Sequence, residues 1–124
     1  MSAPEQLDPV AAYGAAWLAT DDRERQALLE QAWAPDGVYC DPLALVTGRS
    51  ELAAHIAGTQ ASLAGGRVEV TSEAVRHHDS ALFHWRITDA AGATVLTGLD
   101  VVQFDDAGRI RRLTGFFDDA PSGA

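Results

Sequence analysis

Lysine is absent from the chain, so every basic side chain is an arginine. There are 9 basic residues against 18 acidic ones, a net charge of -9. A duplex or single-stranded nucleic acid needs a basic face, which this balance does not provide. Adsorption to an anionic membrane is disfavoured for the same reason. The one cysteine, Cys40, cannot form an internal disulfide, and no second cysteine gives it zinc-site spacing. The histidines hold no His-x-x-x-His pair. There is no Gly-x-Ser-x-Gly elbow, phosphate loop or dinucleotide fingerprint, so no cofactor is expected. The apolar run from Val10 to Ala19 is too short and too rich in alanine to span a bilayer. No basic segment precedes an apolar one near the N-terminus, and the expectation is a cytoplasmic protein.

What remains is 124 residues, 47% of them hydrophobic, enough for one domain with its own core. Asp8-Pro9 reads as a helix start, with Val10, Tyr13 and Trp17 following at helical spacing. Thr20-Asp21-Asp22 ends that helix and caps a second, with Ala27, Leu28, Ala32 and Trp33 expected to point inward. Ala34-Pro35-Asp36-Gly37 reads as a turn before a short strand, Val38 to Cys40, that Pro42 terminates. Ser50 is the expected cap of a third helix, with Leu52, Ile56 and Leu63 along its inner stripe. Gly65-Gly66 closes it.

From Val68 onward the pattern is that of strands joined by hairpins. Turns fall at His77 to Ser80, Asp89 to Gly92 and Asp105 to Gly108. The long strand from Val95 to Phe104 is the most informative. Leu96, Gly98, Asp100, Val102 and Phe104 share one face, apolar but for Asp100. Both faces carry apolar residues, so periodicity alone leaves Asp100 either buried or solvated. Burial would raise its carboxyl pKa, as functional sites often do. Asp41 shares its face with Tyr39, and an Asp-Pro pair is commonly a plain turn. His84 lies mid-strand, where an imidazole lines a cavity or faces water. Helices followed by hairpin-linked strands predict an α+β fold, an antiparallel sheet with helices on one face.

The order of short motifs carries more than any one of them. Trp33-Ala34-Pro35-Asp36-Gly37 leads into Val38-Tyr39-Cys40-Asp41-Pro42, then a Gly48-Arg49 helix start. The last strands hold Gly98-Leu99-Asp100 through Gly108-Arg109-Ile110, and then Gly115-Phe116-Phe117-Asp118. This series resembles the nuclear transport factor 2-like superfamily, in its SnoaL-like and ketosteroid-isomerase-like branch, over about residues 6–119. The resemblance implies a cone, a strongly curved antiparallel sheet closed by three helices around a pocket. It also implies a homodimer formed through the outer sheet face. Asp41 looks like the proton-shuttling base of the isomerases, and Asp100 like their protonated acid, which donates to a developing oxyanion. Those enzymes place a tyrosine donor on the first helix. Trp17 occupies that position here, with Tyr13 one turn earlier. Tyr13, Trp17, His84 and Phe117 would line the pocket around a small, largely apolar molecule.

Three functions follow as expectations. One is an isomerase- or polyketide-cyclase-like enzyme using Asp41 and Asp100. The second is a non-catalytic binding or dimerisation module on the same cone. The third is epoxide hydrolysis, which would need an arginine such as Arg86 between two aspartates.

Overall fold

The computed structural model describes residues 7–118. Three helices are α1 (Pro9–Leu18), α2 (Asp22–Ala32) and α3 (Arg49–Leu63). The strands are β1 (Trp33–Asp41), β2 (Ala44–Thr47), β3 (Arg67–Val70), β4 (Val75–His77), β5 (Ser80–Thr88), β6 (Thr94–Phe104) and β7 (Ile110–Phe117). They form one sheet in the order β2-β1-β7-β6-β5-β3, with β4 also paired to β5. Its pairings are antiparallel except that β1 runs parallel to β7, so the curled sheet is mixed. Among the described residues no helix is long and apolar enough to cross a membrane.

The local signals act where the sequence puts them. Asp8 caps α1, its carboxylate accepting from the Val10 and Ala11 N–H groups, and Asp21 caps α2 through the Glu24 N–H. Val10, Tyr13 and Trp17 are all buried, as their spacing predicts. Gly14 lets α1 approach the sheet, since a Cβ there would stand 3.1 Å from Val70 Cγ2. Trp33, Phe83, Leu29, Leu52, Ile56, Ile110 and Leu113 fill the core between the helices and the concave sheet face.

Three readings of the sequence are corrected, and one strand is added. Ala34-Pro35-Asp36-Gly37 is not a turn; β1 runs through it as a bulge. Trp33 faces Ile110 and Val38 faces Arg112, so the β1 segment carries extra residues that its partner lacks. The Trp33 ring folds back over Gly37, where any Cβ would meet the indole. Strand β2 follows the Pro42-Leu43 turn, and no expectation covered it. The cap of α3 is Gly48, at φ 87°, and Ser50 lies inside the helix. On α2 the buried face is Arg25, Leu29 and Ala32, while Ala27 is exposed.

Arg25 is the reason that face was missed. A charged residue is counted outward, yet this one is only 2% exposed. Its guanidinium donates to the Ala19 carbonyl and to Gln60 Oε1, each at 2.8 Å, and to Asp22 Oδ1 at 2.5 Å. Gln60 donates in turn to the Trp17 and Ala19 carbonyls. One arginine thus ties the end of α1 to α2 and α3. Arg25→Ala should destabilise the fold by roughly 2–4 kcal/mol, through lost charged hydrogen bonds and orphaned acceptors. The check is a lower denaturant midpoint at unchanged slope.

Candidate active site

The register of the sheet builds the site. On the concave face Phe83 of β5 pairs with Asp100 of β6, and Asp100 pairs with Gly115 of β7. Cys40 pairs with Thr114 across the parallel β1–β7 ladder, which sets Asp41 beside Gly115. The row therefore reads Asp41, Gly115, Asp100, Phe83. A Cβ on Gly115 would lie 2.9 Å from Asp100 Oδ1 and 3.4 Å from Asp41 Cβ. Both acids lean over the glycine, and a side chain there would separate them. A second row is Trp85, Gly98, Phe117. The Trp85 ring lies flat over Gly98 and meets Phe117 edge to face at 5.8 Å.

The helices close the other side. Tyr13 and Trp17 come from α1, His55 and Thr59 from α3. Together with Asp41, Asp100, Gly115, Trp85 and Phe117 they line a cavity of about 170 Å³ that opens to solvent, with exposed Leu43 at its rim. Tyr39 joins this wall, its ring 5.0 Å from His55 and 6.4 Å from Trp17.

Asp100 is 7% exposed, so the buried alternative for β6 is the one realised. Burial raises its carboxyl from 3.8 to about 7; the Trp85 indole pulls it down, and the Asp41 charge pushes it up. Tyr13 is raised well above the ordinary phenol value, first by burial and then by Asp100. Tyr39 is raised by burial and by its hydrogen bond to Asp41. Asp41 has a different environment. Oδ1 accepts from the Leu43 and Ala44 N–H groups at 2.8 Å, and Oδ2 accepts from the Tyr39 hydroxyl at 2.5 Å. It lines the cavity and also holds the β1–β2 turn. The Trp17 indole N–H is buried without a hydrogen-bond partner. It lies near enough to Tyr13 to favour the phenolate slightly.

A family model for the SnoaL-like domain matches residues 10–113. The chain belongs to the SnoaL-like family. The SnoaL-like chain is 33% identical to a candidate isomerase of that family from Agrobacterium tumefaciens, with a TM-score of 0.84 over 92% of this chain and 97% of that one. A candidate polyketide cyclase from Sinorhizobium meliloti is 24% identical, with a TM-score of 0.68 over 88% of this chain and 94% of the other. A protein from Catenulispora acidiphila with a ketosteroid isomerase-like fold, solved with trimethylamine, is 20% identical, with a TM-score of 0.69 over 90% and 85%. These last two share the fold. No curated protein matches the chain.

Of the residues expected at the site, Asp41, Asp100, Tyr13, Trp17 and Phe117 surround one cavity. His84 does not. It pairs with Leu99 on the convex face and is exposed, because strand alternation turns it away from Phe83 and Trp85. Arg86 shares that outer face and is bound to Glu69 Oε1 at 2.9 Å, so no arginine stands between the aspartates. Tyr39, His55, Trp85 and Gly115 were missed. The shared face of Tyr39 with Asp41 and of Trp85 with Phe83 was legible. His55 and Gly115 needed the three-dimensional register.

The raised carboxyl has a stability signature. Between its unfolded value of 3.8 and its folded value of about 7, Asp100 holds more protons folded than unfolded. Its contribution is therefore fully present below about pH 4 and is lost as pH rises through 7. Asp100→Asn removes this loss. From about pH 5 to pH 8, the variant should gain roughly 2–3 kcal/mol relative to the native chain. Paired denaturation curves at the two pH values measure it, and a constant difference would contradict the burial cost.

Proposed function

We propose that this SnoaL-like chain is a cofactor-independent enzyme that moves a proton next to a carbonyl, in the manner of an isomerase or a polyketide cyclase. The observation that carries the reading is two carboxyl groups in different environments over one glycine in one cavity. Asp41 acts as the base. It takes a proton from the carbon beside the carbonyl, and the electron pair moves to the carbonyl oxygen. Asp100, held neutral below about pH 7, donates a hydrogen bond to that oxygen. Tyr13, whose buried phenol stays protonated, is the second donor in this reading. Asp41 then returns the proton to a different carbon in an isomerase; in a cyclase the enolate carbon attacks a second carbonyl carbon, whose oxygen takes the proton from Asp41 and becomes a hydroxyl. The similarity to the Agrobacterium candidate isomerase supports the first course.

A second reading has its own observation. Asp41 already accepts three hydrogen bonds, two of them from the turn that follows it. That is what a structural aspartate in a ligand-binding module would do. Deuterium exchange into compact cyclic ketones, followed by NMR, separates the two. Asp41→Asn should lower exchange about 10²- to 10⁴-fold with the fold intact. Unchanged exchange favours the binding module. Asp100→Asn should keep part of the rate, because an amide N–H still donates. It should also lose the fall in rate that the native chain shows above about pH 7.

The same reading takes the protein as a homodimer paired through the convex sheet face. Leu45, Leu99, Val101 and Phe116 make an apolar surface there, with Phe116 51% exposed. Sedimentation should give the mass of two chains, and Phe116→Glu should shift it to one. A monomeric native chain would remove this part of the proposal.

A further inference from the structure

The cavity sets a size limit that the chemistry above does not contain. An apolar cavity of about 150 Å³ takes one benzene molecule. The cavity here is about 170 Å³. It has one polar end, where Asp100 and Tyr13 stand, and mainly apolar walls. Trp85 takes up the space that would make it larger. Its ring can lie on the sheet only because Gly98 has no side chain; a Cβ there would stand 2.2 Å from Trp85 Cζ2. Phe117, on the far side of Gly98, braces it edge-on. Two aromatic side chains of one row, from β5 and β7 on either side of Gly98, thus fill the wide part of the cone.

The geometry points to a single-ring carbonyl compound, or an open chain of equal bulk, as the substrate class, with Trp85 as the residue that sets the limit. This rests on the proton-transfer reading for the carbonyl, while the size limit rests on the cavity alone. A fused tetracycle does not fit within these walls. Its rings would have to leave past Leu43, which is 85% exposed and contributes no closed surface. The oxygen of the single ring sits at the Asp100 end, and its carbon body against Trp85 and Phe117.

Phenol is a suitable probe, being one ring with one oxygen that mimics an enolate. Calorimetric titration of the whole chain with phenol, 2-naphthol and estradiol compares one, two and more fused rings at a constant phenolic end. Phenol should bind, and naphthol should bind more weakly by about tenfold or more, since even one surplus methylene against the apolar walls costs that much. Estradiol should not bind measurably. Trp85→Leu should collapse or reverse the phenol-to-naphthol ratio. The ratio is the readout because Trp85 also faces Asp100, and that effect is common to both phenols. Phe117→Leu should move the ratio in the same direction and serves if the tryptophan variant does not fold. Naphthol or estradiol binding as tightly as phenol, no phenol binding, or a ratio unmoved in the folded variants overturns the inference. Asp100→Asn separates the two levels. Loss of both affinities at constant ratio supports the acid role and the limit together. Unchanged affinities at constant ratio remove the acid role and leave the limit standing.

Discussion

A carboxyl group on the concave face of β6 is the constraint on which the site depends. Removing Asp100 from water disfavours its charged form, and the Asp41 charge opposes ionisation further. The sheet supplies no cation to offset this; Arg86 and Glu69 pair with each other instead. Neutralisation is the physical answer to an uncompensated buried charge. The fold therefore holds a proton at the bottom of a cavity near neutral pH. The glycine between the two acids completes the arrangement, because a side chain at position 115 would press on Asp100 Oδ1 and on the Cβ of Asp41.

The motifs that mark the family divide into scaffold and chemistry. Arg49 donates to the Trp33 carbonyl at 2.8 Å and reaches the Glu30 carbonyl, and Arg109 donates to that same Glu30 carbonyl at 2.8 Å. Both arginines thus satisfy free carbonyls at the C-terminal end of α2, where a cation is also favoured by the helix dipole. The Gly-Arg pairs in the sequence are accordingly framework. They fix α2 against β1 and the β6–β7 hairpin, and so fix where β1 starts. Asp41 lies at the other end of that strand. Its position follows from these contacts as much as from its own hydrogen bonds.

The helix starts at Asp8 and Asp21 and the three hairpins were legible because each rests on local chemistry, a cap or a turn residue; Asp41 and Asp100 stood out as a pair only through the resemblance to the family. The burial of Asp100 was not legible. Leu99 and Val101 make the convex face apolar as well, so period alone could not choose between faces. His84 went wrong for a related reason. Its neighbours Phe83 and Trp85 are cavity-side, and alternation requires the residue between them to point outward. Arg25 went unread because a charge is normally solvated, and its burial is made tolerable by Asp22, the Ala19 carbonyl and Gln60. The bulge through Pro35 was unreadable because local turn chemistry and a strand interrupted by extra residues look alike until a partner strand is known.

Trp17 shows why position along a helix is a poor guide to a donor. The resemblance sets it where a tyrosine would be expected, yet its N–H is buried and without a partner. Tyr13 is the residue that senses Asp100, Tyr39 and Asp41 together. One helical turn separates them on a common face, so both reach the same side of the cavity. The indole lies behind the phenol and favours negative charge on its oxygen. A phenol that gives its hydrogen to a ligand gains negative charge on that oxygen, so the same indole contact strengthens at that moment. Trp17 packs edge-on against Tyr13 at 6.5 Å, and the polar end of the cavity is made by Tyr13 and Asp100.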